Sequence, residues 1–167
     1  KNAYAGHLKY SFQLRPHTVA DQAYIGAYQG IGVGYFNFGN PEELGNPLAV
    51  YLFQGGRIAQ FSPRISLNYE WNFGASFGWK PYDEYDNPEN QIIGSKVNAY
   101  LNVNLYLKWA LSPKFDLMIG ATGSHFSNGN TQYPNSGLNT VDCKVGLVYN
   151  FNRRADELAQ SWQRPIV

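Results

Sequence analysis

The chain reads as an all-β protein, an antiparallel up-and-down transmembrane β-barrel with eight strands in the full-length protein and about seven legible in these 167 residues. Three observations point there. Apolar and polar residues alternate over stretches longer than the ~5–6 residues typical of soluble strands, and these stretches meet the ~9–11 needed to cross a bilayer at a tilt. Aromatic residues make up 16%, with 13 Tyr, 10 Phe and 4 Trp, a composition suited to rings at bilayer interfaces. No run of ~18 apolar residues supplies a transmembrane helix; weak hydropathy is what a barrel shows, because every second residue faces its interior. A soluble tyrosine-rich sandwich competes with this fold. It would expose the polar face of each strand to bulk water instead of a lumen.

Each strand has its own signature, because side chains two apart on a strand share a face. In the first, 6–14, Leu8, Tyr10, Phe12 and Leu14 oppose His7, Lys9, Ser11 and Gln13. The second, about 30–38, alternates Ile31, Val33 and Tyr35 with glycines. The third, 48–59, is apolar on both faces and leaves its register open. In the fourth, 64–79, Ile65, Leu67, Tyr69, Trp71 and Phe73 stand against Ser66, Asn68, Glu70 and Asn72. The fifth, 95–111, sets Val97, Ala99, Leu101, Val103, Leu105, Leu107 and Trp109 against Asn98, Tyr100, Asn102, Asn104, Tyr106 and Lys108. In the sixth, Phe115–Ser127, Phe115, Leu117, Ile119 and Ala121 share a face with His125 and Ser127. The seventh ends at Phe151; Val141, Cys143, Val145, Leu147 and Tyr149 lie on its apolar face together with Asn139.

The connections alternate as an up-and-down barrel requires, with short turns at Ser62-Pro63 and Ser112-Pro113 and long loops at 39–46, 80–94 and 128–138. The segment 15–27 breaks the pattern by not being short. Since the seventh strand ends inside, the first must start outside. Single-chain bacterial barrels carry even strand numbers, so an eighth strand is expected before Lys1, or from residues 1–5 with residues not given. Residues 1–152 are assigned to the barrel and 153–167 to a periplasmic C-terminal tail, with a short helix over 155–163 and no chemistry. The start, Lys1-Asn2-Ala3-Tyr4, lacks a signal peptide and reads as a mature or trimmed chain.

Charge excludes little and suggests little. Lys plus Arg is 13 against 12 for Asp plus Glu, so nothing electrostatic recommends nucleic acid as a partner. The single Cys143 rules out an internal disulfide. His7 and His17 show no ligand spacing with His125, and the acidic loop of Asp83, Glu84, Asp86 and Glu89 lacks calcium-loop spacing. Neither a metal nor a cofactor is called for.

The chemistry concentrates on one hairpin. Parity brings His125, Ser127 and Asn139 together on an apolar exterior, a poor place for three polar groups unless they close strands at a membrane rim or are used. The i, i+2 spacing places a base and a hydroxyl nucleophile on one surface, where proton transfer is geometrically possible. Asn128, Asn130 and Asn135 suit turns, because Asn tolerates left-handed backbone.

These residues carry a resemblance. Ser124-His125-Phe126-Ser127-Asn128-Gly129, followed by Tyr133-Pro134-Asn135-Ser136-Gly137-Leu138-Asn139, resembles the active-site hairpin of the PagL family of lipid A deacylases. Asn37-Phe38-Gly39-Asn40-Pro41-Glu42, Lys80-Pro81-Tyr82-Asp83 and Ile93-Gly94-Ser95 are similar to a PagL-related branch labelled acyloxyacyl hydrolases in Bacteroidetes-type bacteria. The resemblance runs from about residue 30 to 151. It implies an eight-stranded barrel in the bacterial outer membrane that hydrolyses an ester-linked acyl chain of lipid A, the anchor of lipopolysaccharide, or of another acylated membrane lipid. It also implies Ser127 as nucleophile, His125 as general base, and Asn128 with the backbone near Gly129 as the oxyanion hole. The family's acid is a Glu two residues after the turn glycine, where this chain has Asn139. An amide can orient a histidine, as in Cys-His-Asn sites, or another carboxylate can substitute: Asp142 has lumen parity, and Glu42, Glu43 and Asp83 lie on outer loops. A rival function is an inactive PagL-shaped barrel serving as a structural subunit of an envelope protein complex.

Overall fold

The computed structural model describes residues 2–13 and 26–153. Seven strands follow one another: β1 Tyr4–Gln13, β2 Tyr28–Asn37, β3 Gly45–Gln60, β4 Ile65–Trp79, β5 Val97–Ala110, β6 Phe115–Ser127 and β7 Leu138–Tyr149. They form one curled sheet in the order β1-β2-β3-β4-β5-β6-β7, each pair antiparallel. No helix occurs among the described residues.

The two tight turns are built alike because their sequences are alike. Ser62 Oγ accepts the Arg64 and Ile65 N–H groups at 3.3 and 3.1 Å, and Ser112 Oγ accepts those of Lys114 and Phe115 at 3.2 and 3.1 Å. In each case proline follows, fixing φ where a turn needs it. The long connections 38–44, 80–96 and 128–137 gather at the opposite end.

Alternation sorts the two faces. Val103 is 65% exposed, Leu52 63% and Val145 73%, while Asn98, Asn102, Asn104 and Glu70 on the other face are each under 5%. A wall that is greasy outside and polar inside matches a barrel in lipid and inverts a soluble sandwich. Near the tight turns the interior is a polar network. Glu70 accepts the Tyr28 hydroxyl at 2.8 Å and pairs with Lys9; Lys144 donates to Asn104 Oδ1 at 3.0 Å. Below it the Arg153 guanidinium clamps the buried Asp116 carboxylate with two bonds of 2.9 and 2.7 Å and reaches the Ser112 and Pro113 carbonyls. A buried charge needs such pairing. Arg153, the first residue of the expected tail, is thus fastened to the β5–β6 turn.

Toward the long loops the interior turns aromatic: Phe36, Tyr51, Trp79, Tyr100 and Phe126 pack as one cluster with Leu44 and Ile93. This explains why β3 was ambiguous. Its inward residues, Ala49, Tyr51 and Phe53, are as apolar as its outward ones, Leu48, Val50 and Leu52. The glycines of β2 make room for these rings; a Cβ on Gly32 would lie 2.4 Å from the Tyr51 ring. At the other end of β4, Gly78 at φ 89° shifts the parity, so Trp79 turns inward.

One expectation is corrected. Tyr4 and Ala5 do not begin an eighth strand; they open β1, paired with Asn37 and Phe36. Among the described residues β1 pairs only with β2 and β7 only with β6. Those edges run in the same direction, and Tyr10 and Phe151 approach to 6.2 Å between ring centroids. Most of 15–27, and the 155–163 segment expected to be helical, lie outside the described residues.

Two outcomes follow. Gly32→Val drives a side chain into the Tyr51 ring and lowers stability by about 1–3 kcal/mol, measured by urea unfolding in phospholipid vesicles. Val103→Arg puts a charge at mid-strand on the outer wall and costs about 2–4 kcal/mol in the same assay; a neutral effect would contradict a lipid-facing wall.

Candidate active site

The β6–β7 ladder fixes the candidate residues by register. His125 stands opposite Asn139 on β7 and Leu101 on β5; Ser127 stands opposite Ala99. Their inward neighbours Ser124 and Phe126 are buried, so His125 and Ser127 point to the outer wall, where both are half-buried and Asn139 is exposed. Across the strands His125 Nδ1 and Asn139 Oδ1 meet at 2.7 Å. An amide oxygen only accepts, so this contact calls for a proton on Nδ1 and leaves Nε2 of the neutral ring with its lone pair free.

Gly137 marks how close the histidine and serine are. It sits at φ 72°, which favours glycine, and a Cβ there would lie 3.2 Å from His125 Cε1 and 3.6 Å from Ser127 Cβ. Both side chains therefore border one point, and the glycine of the Pro-Asn-Ser-Gly turn is the residue that fits over them. Ser127 Oγ makes no hydrogen bond among the described residues.

Asn128 is engaged in building its turn. Its Nδ2 donates to Gln132 O at 2.6 Å and its Oδ1 accepts the Asn130 N–H at 3.1 Å. Asn130 itself has φ 65°. The next residue is open: Gly129, at φ 64°, has nothing within 4 Å of a Cβ position. The Asn128 amide is thus already engaged within the turn.

The carboxylates considered in place of Asn139 are occupied or distant. Asp83 accepts the Asp86 and Tyr85 N–H groups at 3.0 and 2.9 Å, which holds its carboxyl below the usual range. Glu43 accepts Asn40 Nδ2, and Asp142 lies opposite Thr122. None of them, nor Glu42, forms a hydrogen bond or ion pair with His125 among the described residues. His7 is bonded inside the barrel to the Tyr51 hydroxyl at 2.8 Å, and no group of three metal-ligating side chains occurs among the described residues. His17 lies outside them.

Sequence reasoning passed over how the outer loops grip this hairpin. The Gly137 N–H donates to Ile92 O at 3.3 Å and Ser136 Oγ to Gln91 O at 3.2 Å, while a Cβ at Gly94 would lie 2.6 and 2.7 Å from the Tyr133 and Pro134 carbonyl oxygens. Only the glycine of Ile93-Gly94-Ser95 offered a signal, a demand for close backbone approach.

No curated protein and no solved structure matches the chain. A family model described as "Lipid A 3-O-deacylase (PagL)" matches residues 4–148, from the start of the first strand into the seventh. The chain belongs to the PagL family.

Proposed function

We propose that the protein is an outer-membrane esterase that removes an ester-linked acyl chain from lipid A, with Ser127 as nucleophile and His125 as general base. The observation that carries this is the 2.7 Å contact between His125 and Asn139 on the lipid-facing wall, beside a serine two residues along the same face. Family membership supplies the substrate class. A lipid substrate reaches such a site by lateral diffusion, without entering the packed interior.

The chemistry balances with this chain's own groups. Ser127 Oγ attacks the acyl carbonyl carbon as His125 Nε2 takes the hydroxyl proton, and the carbonyl π electrons move onto oxygen. Backbone N–H groups at Asn128 and Gly129 stabilise that charge. Collapse of the intermediate breaks the bond to the sugar oxygen, which receives the proton from the imidazolium. Water repeats the sequence on the acyl-serine, freeing the fatty acid and restoring Ser127. Asn139 orients the ring throughout, with less stabilisation of imidazolium than a carboxylate provides. Neither metal nor cofactor has a step.

A bilayer also constrains the sheet edges. Unpaired N–H and C=O groups each cost several kcal/mol in hydrocarbon, so in lipid the β1 and β7 edges, which have no second partner strand among the described residues, call for one antiparallel to both. Asn139, an amide where the resemblance implies a carboxylate, is the observation that favours the rival role of an inactive barrel within an envelope complex.

Mass spectrometry of lipid A from expressing cells separates the two. Loss of one acyl chain with the intact protein, abolished by Ser127→Ala and by His125→Ala, is expected; identical spectra throughout would favour the subunit. Asn139→Glu gives the imidazolium a carboxylate partner, so turnover rises about tenfold or more. Unchanged turnover would remove residue 139 from the mechanism.

A further inference from the structure

The 80–96 loop provides none of the residues proposed to react, yet it holds the turn that covers them. Ile92 O accepts the Gly137 N–H at 3.3 Å, and Gly137 lies against His125 Cε1 and Ser127 Cβ. What fixes Ile92 is Asn90, whose side chain is fully buried. Its Oδ1 accepts the Ile92 and Ile93 N–H groups at 3.0 and 3.1 Å; its Nδ2 donates to Lys80 O at 2.8 Å and Glu43 O at 3.3 Å. One amide thereby ties four backbone groups from two loops. Asn87 reinforces the seam, donating to Glu43 O at 2.9 Å and Pro81 O at 3.1 Å. Below it, Ile93 is buried in the aromatic cluster, so the pin is anchored to the barrel interior.

We propose that Asn90 is a positioning residue for the esterase: by pinning Ile92 it holds Gly137 over His125 and Ser127, keeping base and nucleophile aligned. This rests on the Ser127/His125 reading above. Asn is suited to the task because it accepts twice and donates twice at one buried point. Aspartate keeps the two acceptor bonds to Ile92 and Ile93 and loses the two donor bonds; alanine loses all four. Misplacing a reacting group by about 1 Å can cost about 10²-fold in rate, so a small shift of the Gly137 turn is enough to matter.

The test compares the whole purified barrel in detergent, as wild type, Asn90→Ala, Asn90→Asp, Gly137→Ala and the Asn90→Ala/Gly137→Ala double variant, with lipid A as substrate. Folding is followed by heat-modifiable gel migration. Asn90→Ala should lower kcat by about 10- to 100-fold with KM nearly unchanged, and Asn90→Asp should fall between it and wild type. The double variant should lose little more than the worse single one, because both act at the same point. Wild-type kcat in folded Asn90→Ala, or multiplicative losses in the double variant, would overturn the proposal. Hydrogen exchange at the Gly137 amide is the second readout. Protection should drop in Asn90→Ala and less in Asn90→Asp, which also serves if the alanine variant does not fold; unchanged protection in a folded variant would refute the pin. If wild type itself leaves lipid A intact, the esterase reading fails and the positioning role fails with it, while lost Gly137 protection would still locate the pin.

Discussion

Register on the antiparallel ladder is the constraint on which everything else depends. A slip of one residue would carry every side chain of a strand to the opposite face. On β6 that slip would bury His125 and Ser127 and push Phe126, fully enclosed among Phe36, Trp79 and Tyr100, out into lipid. The energetic preference for burying Phe126 and Asp116 inside is therefore what presents the base and the hydroxyl outside. The site inherits its orientation from the core.

The interior divides by chemistry along its length. Toward the tight turns, Lys9, Tyr28, Glu70, Asn104 and Lys144 satisfy one another, and Arg153 neutralises Asp116. Toward the long loops rings fill the space, and the loops close over them through Asn87 and Asn90. A wall backed by packed side chains is stiff, and a stiff wall is what a surface site requires if two side chains on it are to stay aligned. The aromatic end lies directly behind the β6–β7 hairpin, so the firmest packing and the proposed chemistry share one end of the sheet.

Putting a histidine on a lipid-facing surface has consequences for its partner. A carboxylate beside it would be a charge to keep wet; Asn139 is neutral and satisfies Nδ1 at 2.7 Å without that demand. In the proposed esterase the cost would fall on the transition state, where an amide offers an imidazolium less than a carboxylate does, while the His125–Asn139 contact already fixes the orientation of the ring.

Much of this was legible in the residue order, because a period of two is local. The alternation of Val97 to Lys108 and of Phe115 to Ser127 was enough to define strands, faces and the shared surface of His125, Ser127 and Asn139. The Ser-Pro turns announced themselves by residue type. Where both faces were apolar, as from Leu48 to Phe53, local pattern had nothing to distinguish, and only packing of Tyr51 against Tyr100 of β5 decided which side was in. Trp79 turned inward through one left-handed glycine, a backbone event with no periodic signal. The grip of Asn90 and Ile92 on Gly137 joins residues some 45 positions apart through backbone carbonyls, which any residue type carries. The sequence by itself determined the strands, their two faces and the residues sharing the outer one; the tertiary structure decided β3's register, the occupants of the aromatic end and the loop contacts that fasten the site, because those depend on partners far away in the chain.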